Sequence, residues 1–253
     1  MQHVKIISVS SLAAHKTASI KAQISILGSA VLPVPTIVLN GVTSFSQINK
    51  QTIDFRVVLE GTMKLCIQQN HKVFIFIGYV TSSEDIYTLL EFINKYKSHL
   101  AGVFVDPISG DQDKTYIDQK IIDAWPLLIA LSDFVFPNQT ELKLYSGLGS
   151  EEKSLNNHIK AFERRFPKPD YIITSYKDKK YGVLLKYGSK KRIFNHTYYN
   201  VKIDGAGDVF ASYFLKYYLL AGYRAPKSCS RALKKTLRLM NYSFKNNESE
   251  LVI

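Results

Sequence analysis

The sequence has little cysteine, little acid and no long apolar run. Cys66 and Cys229 are its only cysteines, far apart and outside any C-x-x-C spacing. That excludes a disulfide scaffold or a thiolate zinc site as the organising feature, and it suits a reducing compartment. The longest strongly apolar run, 73–80, is far too short to cross a bilayer. The six histidines are scattered with no H-x-x-x-H spacing, so nothing points to zinc. Acid is scarce: 21 Asp plus Glu stand against 33 Lys plus Arg, a net charge of +12. What the chain does have is apolar residues, 46% of its 253, enough to bury a sizeable core and to exclude general disorder. That length suits one α/β domain spanning 1–253.

The positive charge is concentrated. Residues 177–192 hold seven Lys or Arg and one acid, and residues 224–245 hold seven more and no acid. A basic balance suits nucleic acid, a membrane surface or anionic small molecules, and equally a solvated lysine-rich face. The second segment decides for the solvated face. Arg231, Lys234, Lys235 and Arg238 flank Leu233, Leu237 and Met240, as on an amphipathic helix covering a core. Neither segment carries an interleaved stacking motif or a groove-binding signature. No nucleic-acid or membrane partner is expected. Residues 1–14 only loosely resemble a signal peptide, because Ser8, Ser10 and Ser11 dilute the apolar part. They predict a buried first strand over 4–9 running into a polar loop, and a cytoplasmic protein.

Short β-branched runs recur along the chain. Residues 4–9, 31–39, 73–77, 103–105, 134–136, 171–174 and 182–185 predict strands. Between them the period turns helical. Ile86, Leu89, Leu90, Ile93 and Tyr96 share a face, and Ser82 with Asp85 have the spacing of a capping box. Residues 17–27 and 155–166 predict two further helices. Alternating strands and helices imply a mostly parallel sheet covered on both faces. In such sheets ligands sit beyond the carboxyl ends of the strands. The residues following the runs are mostly small or polar, among them Ser10, Thr43, Tyr79, Asp106, Asn138, Thr174 and Ser175.

The most specific string is Asp204-Gly205-Ala206-Gly207-Asp208, leading into an apolar helical face from Val209 to Leu220. Glycines at a helix start leave backbone N–H groups open to an anion, aided by the helix dipole. A carboxylate beside that anion site makes sense as a base. Asp208 would take the proton of a hydroxyl attacking a phosphorus held by the N–H groups of Gly205, Ala206 and Gly207. The plain alternative is an acid in the first turn of a helix. Asp106 follows the run 103–105, and Glu141 lies in Asn138-Gln139-Thr140-Glu141 after the run 134–136. Phosphoryl transfer from a nucleotide needs Mg²⁺ held by one or two carboxylates and phosphate oxygens. Asn138 and Glu141 equally fit a helix capping box, and the two roles are compatible.

In order and spacing these strings resemble the pyridoxal (vitamin B6) kinases of the ribokinase-like superfamily, over residues 6–222. The supporting strings are 25–28 with 33–36, 38–40 with Thr43 and Phe45, 78–80, 105–108 with 110–111, 133–141, 172–175 and 205–208. The resemblance implies a three-layer α/β/α fold with a mostly parallel central sheet. It implies transfer of the ATP γ-phosphate to the 5′-hydroxymethyl group of a B6 vitamer, with Mg²⁺. By the same resemblance Asp208 is the base and Gly205 to Gly207 the anion hole. Asp106 and Glu141 organise Mg²⁺ and the phosphates, with Asn138, Glu141, Thr174 and Ser175 at the nucleotide. Ser10, Thr43 and Tyr79 match positions facing the pyridine ring. Family members are commonly homodimers.

The departures lie on the vitamer side. Related chains have a glycine-containing loop after the first strand, whereas residues 8–16 here contain none. They also have His-Thr-Gly where this chain reads Val42-Thr43-Ser44. These departures keep open a kinase for hydroxymethylpyrimidine or another small alcohol, or a catalytically weak B6-binding protein. Hydroxymethylpyrimidine kinases are similar in fold but carry a cysteine at the position of Asp208.

Overall fold

A computed structural model describes residues 2–41, 47–149, 151–178, 181–197, 205–246, 248, 251 and 253. Eleven strands and eight α-helices are described. In chain order they are β1 (Val4–Ala13), α1 (Ser19–Leu27), β2 (Val31–Leu39), β3 (Lys50–Thr52), α2 (Arg56–Gln68), β4 (Lys72–Ile77) and α3 (Ser83–Lys95). Then come β5 (Leu100–Val105), β6 (Gly110–Asp111), β7 (Lys114–Thr115), α4 (Gln119–Leu131), β8 (Phe134–Val135), α5 (Gln139–Ser146) and α6 (Leu155–Arg165). The remainder are β9 (Asp170–Lys177), β10 (Tyr181–Tyr187), β11 (Lys190–Asn195), α7 (Ala206–Leu215) and α8 (Ala225–Lys245).

Nine strands form one sheet in the order β11-β10-β9-β8-β5-β4-β1-β2-β3. Its middle, from β9 through β2, is parallel, while β3, β10 and β11 are antiparallel additions at the edges. Because strand side chains alternate between faces, each buried strand feeds two cores. Ile7, Val9, Val103 and Val105 join Leu59, Ile86, Trp125, Leu142 and Ile159, so α2 to α6 cover one face. Ile6 and Phe104 join Ala22, Val209, Phe214 and Cys229, so α1, α7 and α8 cover the other. The result is the three-layer α/β/α arrangement with a mostly parallel central sheet. Each fully buried large side chain, Trp125 or Phe214 for example, contributes about 1.5–3 kcal/mol of transfer free energy.

The capping box at α3 is present in both directions, Ser82 accepting from Asp85 N and the Asp85 carboxylate accepting from Ser82 N. Two boundaries differ from expectation in a way that matters for the site. β1 runs on to Ala13, so Ser10 and Ser11 are strand residues and not a loop. β9 runs on to Lys177, which places Thr174 and Ser175 inside the strand. In both cases a neighbouring strand keeps supplying hydrogen bonds past the apolar run, β2 to β1 and β10 to β9. The edge strand β11 was not foreseen. The basic residues of α8 that the sequence places opposite its core face are exposed, and the Arg231 guanidinium stacks on the rings of Tyr217 and Tyr223. Among the described residues no helix is long and apolar enough to cross a membrane.

Candidate active site

Hydrogen bonds between neighbouring strand ends align the carboxyl edge of the sheet. Gly78 N donates to Val9 O at 2.8 Å, Asp106 N to Ile77 O at 2.8 Å, and Phe136 N to Val105 O at 2.9 Å. Each strand therefore delivers its next residues to a common ledge.

At the ends of β1 and β4, Ser10 is buried and its Oγ accepts from Tyr79 N at 2.9 Å. Thr36 Oγ1 fixes the next peptide of the same residue, donating to Tyr79 O at 2.9 Å. Glycine is required at 78 because a Cβ there would stand 2.6 Å from Ser10 Oγ. Burial and the nearby Asp85 carboxylate raise the Tyr79 phenol above its ordinary value, keeping it protonated. Ser10 and Tyr79 thus come together as one unit. Thr43 lies outside the described residues.

At the ends of β5 and β8 the acids gather. Asn138 caps α5 and Glu141 closes the box: Asn138 Oδ1 accepts from Glu141 N at 3.0 Å, and Glu141 Oε2 accepts from Asn138 N at 2.9 Å. Glu141 Oε1 reaches further and accepts from Ser109 N at 3.0 Å, while Asn138 Nδ2 donates to Gly110 O at 2.7 Å. So the box also clamps the β6–β7 hairpin onto α5. Ser109 was not singled out by the sequence, and Gly110 only as part of the string 110–111. Their part is played by backbone atoms, which no residue pattern reports.

Glu141 is 2% exposed, and burial pushes its carboxyl up to about 8 against the pull of these N–H donors. Asp106 is raised well above the usual carboxylate range by burial first, then by the charges of Glu141 and Asp208. Asp106, whose ionisation both Glu141 and Asp208 oppose, is the centre of an electrostatic sink for a cation. Among the described residues, however, no group of three or more His, Cys, Asp or Glu side chains is placed to hold a metal ion by itself. The donor set suits Mg²⁺, which keeps several waters and takes one or two carboxylates plus phosphate oxygens. Asp106 has the freer carboxylate. Glu141 is already engaged on both oxygens, so its fit is to a water in the ion's shell.

Beside α5, Thr174 N donates to Pro137 O at 3.1 Å and Ser175 Oγ accepts from Gln139 N at 3.0 Å. Lys177 N donates to Gln139 Oε1 at 3.1 Å, which brings one member of the first basic segment to this ledge. The structure therefore joins Asn138, Glu141, Thr174 and Ser175 around the start of α5.

Asp208 stands in the first turn of α7, behind Gly205, Ala206 and Gly207. Gly205 has φ 81°, in the left-handed region, and a Cβ on it would meet the Thr17 carbonyl oxygen, so only glycine fits. Burial pushes the Asp208 carboxyl up to about 6, opposed by hydrogen bonding from the backbone and side chain of Ser19. Ser19 was not predicted. It opens α1, just past the glycine-free segment 8–16, and the backbone turns left-handed twice on the way: Lys16 has φ 70° and Ser19 φ 48°.

No family model matches the chain. Among curated proteins, the pyridoxal kinase of Dictyostelium discoideum is 22% identical over 270 residues, spanning 97% of this chain and 88% of that protein. Among solved structures, the pyridoxal kinase of Entamoeba histolytica with PLP superposes with a TM-score of 0.84 at 19% identity, covering 100% of this chain and 93% of that one. The pyridoxal kinase from Leishmania donovani in complex with ADP and pyridoxamine gives a TM-score of 0.78 at 18% identity, covering 95% and 87%. The chain has the ribokinase-like fold of the pyridoxal kinases, and its sequence is similar to theirs over nearly its whole length.

Proposed function

We propose that the chain is an ATP-dependent phosphotransferase that phosphorylates the 5′-hydroxymethyl group of pyridoxal, pyridoxine or pyridoxamine. The observation that carries this reading is Asp208. It is a carboxylate pushed up to about 6, set behind Gly205 to Gly207 at a helix start, with Asp106 close enough for charge to be felt and Glu141 next to Asp106 in turn. A base tuned near neutral pH is suited to taking a hydroxyl proton. The vitamer oxygen then forms its bond to the γ-phosphorus, the bond from that phosphorus to the β–γ bridging oxygen breaks, and ADP leaves. Open N–H groups at the start of α7 stabilise the charge on the transferred group.

Asp106, with Glu141 beside it, would hold Mg²⁺, and the ion would supply neutralisation of the phosphate charges. Asn138, Thr174 and Ser175 border the nucleotide, and Ser10 and Tyr79 the pyridine ring, with Thr43 assigned there by resemblance alone. Two relatives support the substrates: one is a pyridoxal kinase solved with ADP and pyridoxamine, the other a pyridoxal kinase solved with PLP. The chain is read as one kinase domain, a homodimer acting in the cytoplasm in vitamer salvage.

The test is ADP formation by purified protein with Mg-ATP and a panel of pyridoxal, pyridoxine, pyridoxamine and hydroxymethylpyrimidine. Turnover on the three vitamers is expected. Turnover on hydroxymethylpyrimidine alone would move the acceptor, and pyridoxal phosphate binding without turnover would reduce the chain to a binding protein.

A further inference from the structure

Helix α1 begins against local rules. Its first residue, Ser19, has φ 48°, a left-handed conformation that non-glycine residues rarely adopt. Its N-cap, Ala18, offers no side-chain hydrogen bond, so the helix start goes uncapped. Yet a serine, the residue type that caps helices, stands right beside that position with its hydroxyl turned to another use. Ser19 is 5% exposed. The close approach of Gly205 to the Thr17 carbonyl presses the starts of α1 and α7 together. Across that contact the Ser19 backbone N–H and hydroxyl act on the Asp208 carboxyl.

We propose that Ser19 is a positioning residue for Asp208, kept in a left-handed conformation so that both its donors reach that carboxylate. The inference rests on the reading of Asp208 as the base. Backbone strain tolerated beside a reacting group, and a local rule broken without local compensation, are the marks of a functional constraint. The hydroxyl fixes one orientation of the carboxylate, leaving an oxygen toward the acceptor. It also favours the ionised form that a base needs, against burial that disfavours it. Among the described residues, Asp106 at the end of β5 feels the charge of Asp208 and repels it, Tyr116 after β7 is raised partly by it, and Lys16 precedes Ser19 by three positions.

Ser19→Gly separates the role from the fold. Glycine suits φ 48° and keeps the N–H, but it removes the hydroxyl. The midpoint of thermal unfolding should rise by about 2–4 °C, as strain is relieved in a chain of this size. In the same protein kcat should fall roughly 3–30-fold, the loss of one hydrogen bond to a charged group, with KM for ATP and acceptor unchanged. Ser19→Ala should show the same loss of kcat without the gain in stability. A Ser19→Gly protein whose kcat stays within about twofold of wild type overturns the proposal. So does a loss confined to KM, which would assign Ser19 to substrate binding. A wild-type protein without turnover on any vitamer refutes the functional reading itself, and the role of Ser19 falls with it.

Discussion

Asp208→Asn should move stability and activity in opposite directions. Asparagine keeps the shape and the acceptor oxygen facing Ser19 while removing the charge. In the folded chain the Asp208 carboxyl is pushed up to about 6, chiefly by burial, whereas an unfolded carboxyl titrates near about 4. That difference corresponds to roughly 3 kcal/mol of penalty on the ionised form. The side chain is only half-buried, and solvent screening brings the figure down to about 1–2 kcal/mol. For a chain of this length about 1 kcal/mol moves the midpoint by 2–4 °C, so the variant should melt about 2–8 °C higher at pH 8.

The sign of the pH dependence follows from proton binding. Between the unfolded and folded values the native state holds more protons than the unfolded one, so wild-type stability falls as pH rises through that window. The gain from asparagine should accordingly vanish below about pH 4 and be complete above about pH 7. Circular-dichroism melts from pH 4 to pH 8 without Mg²⁺ measure it. Turnover of the same protein with Mg-ATP and vitamer should drop roughly 10²–10⁴-fold. A variant no more stable than wild type at pH 8, or one that keeps activity within about threefold, would refute the reasoning from burial to base.

Two further substitutions probe the ledge. Gly205→Ala forces a side chain onto the Thr17 carbonyl at φ 81°; it should lower the melting midpoint by at least about 5 °C and abolish most turnover. Gly78→Ala displaces Ser10 Oγ from Tyr79 N. Steady-state kinetics should then show KM for the vitamer raised about 5–30-fold with KM for ATP unchanged, because only the pyridine side moves.

Much of the fold was legible because buried parallel strands are written in β-branched residues. The run 31–39 became β2 without change of boundary, and the Ser82–Asp85 spacing became a complete capping box. Legibility failed where side chains do not report burial. The segment Lys190–Asn195 is nearly all exposed, a lysine-rich edge strand that patterning reads as surface loop. Ser10 and Ser11 read as loop because they are polar, yet they extend β1, and the small Ser10 leaves room for the Tyr79 peptide. In the site, Asp208, Asp106, Asn138 and Glu141 could be named because each follows a glycine pair or a strand end. Ser19 could not. Its importance lies in a left-handed backbone angle and in a contact between two helix starts some 190 residues apart in sequence. Neither leaves a trace in residue type or spacing.

The central claim is that this site moves a phosphoryl group from ATP to a vitamer hydroxyl with Asp208 as base. A single-turnover reaction of the purified chain with Mg-ATP and pyridoxal, read by phosphorus NMR, tests it most directly. Equal amounts of ADP and pyridoxal 5′-phosphate are expected, and neither product on the same timescale with Asp208→Asn. ADP without phosphorylated vitamer, or full product formation by the variant, would contradict it.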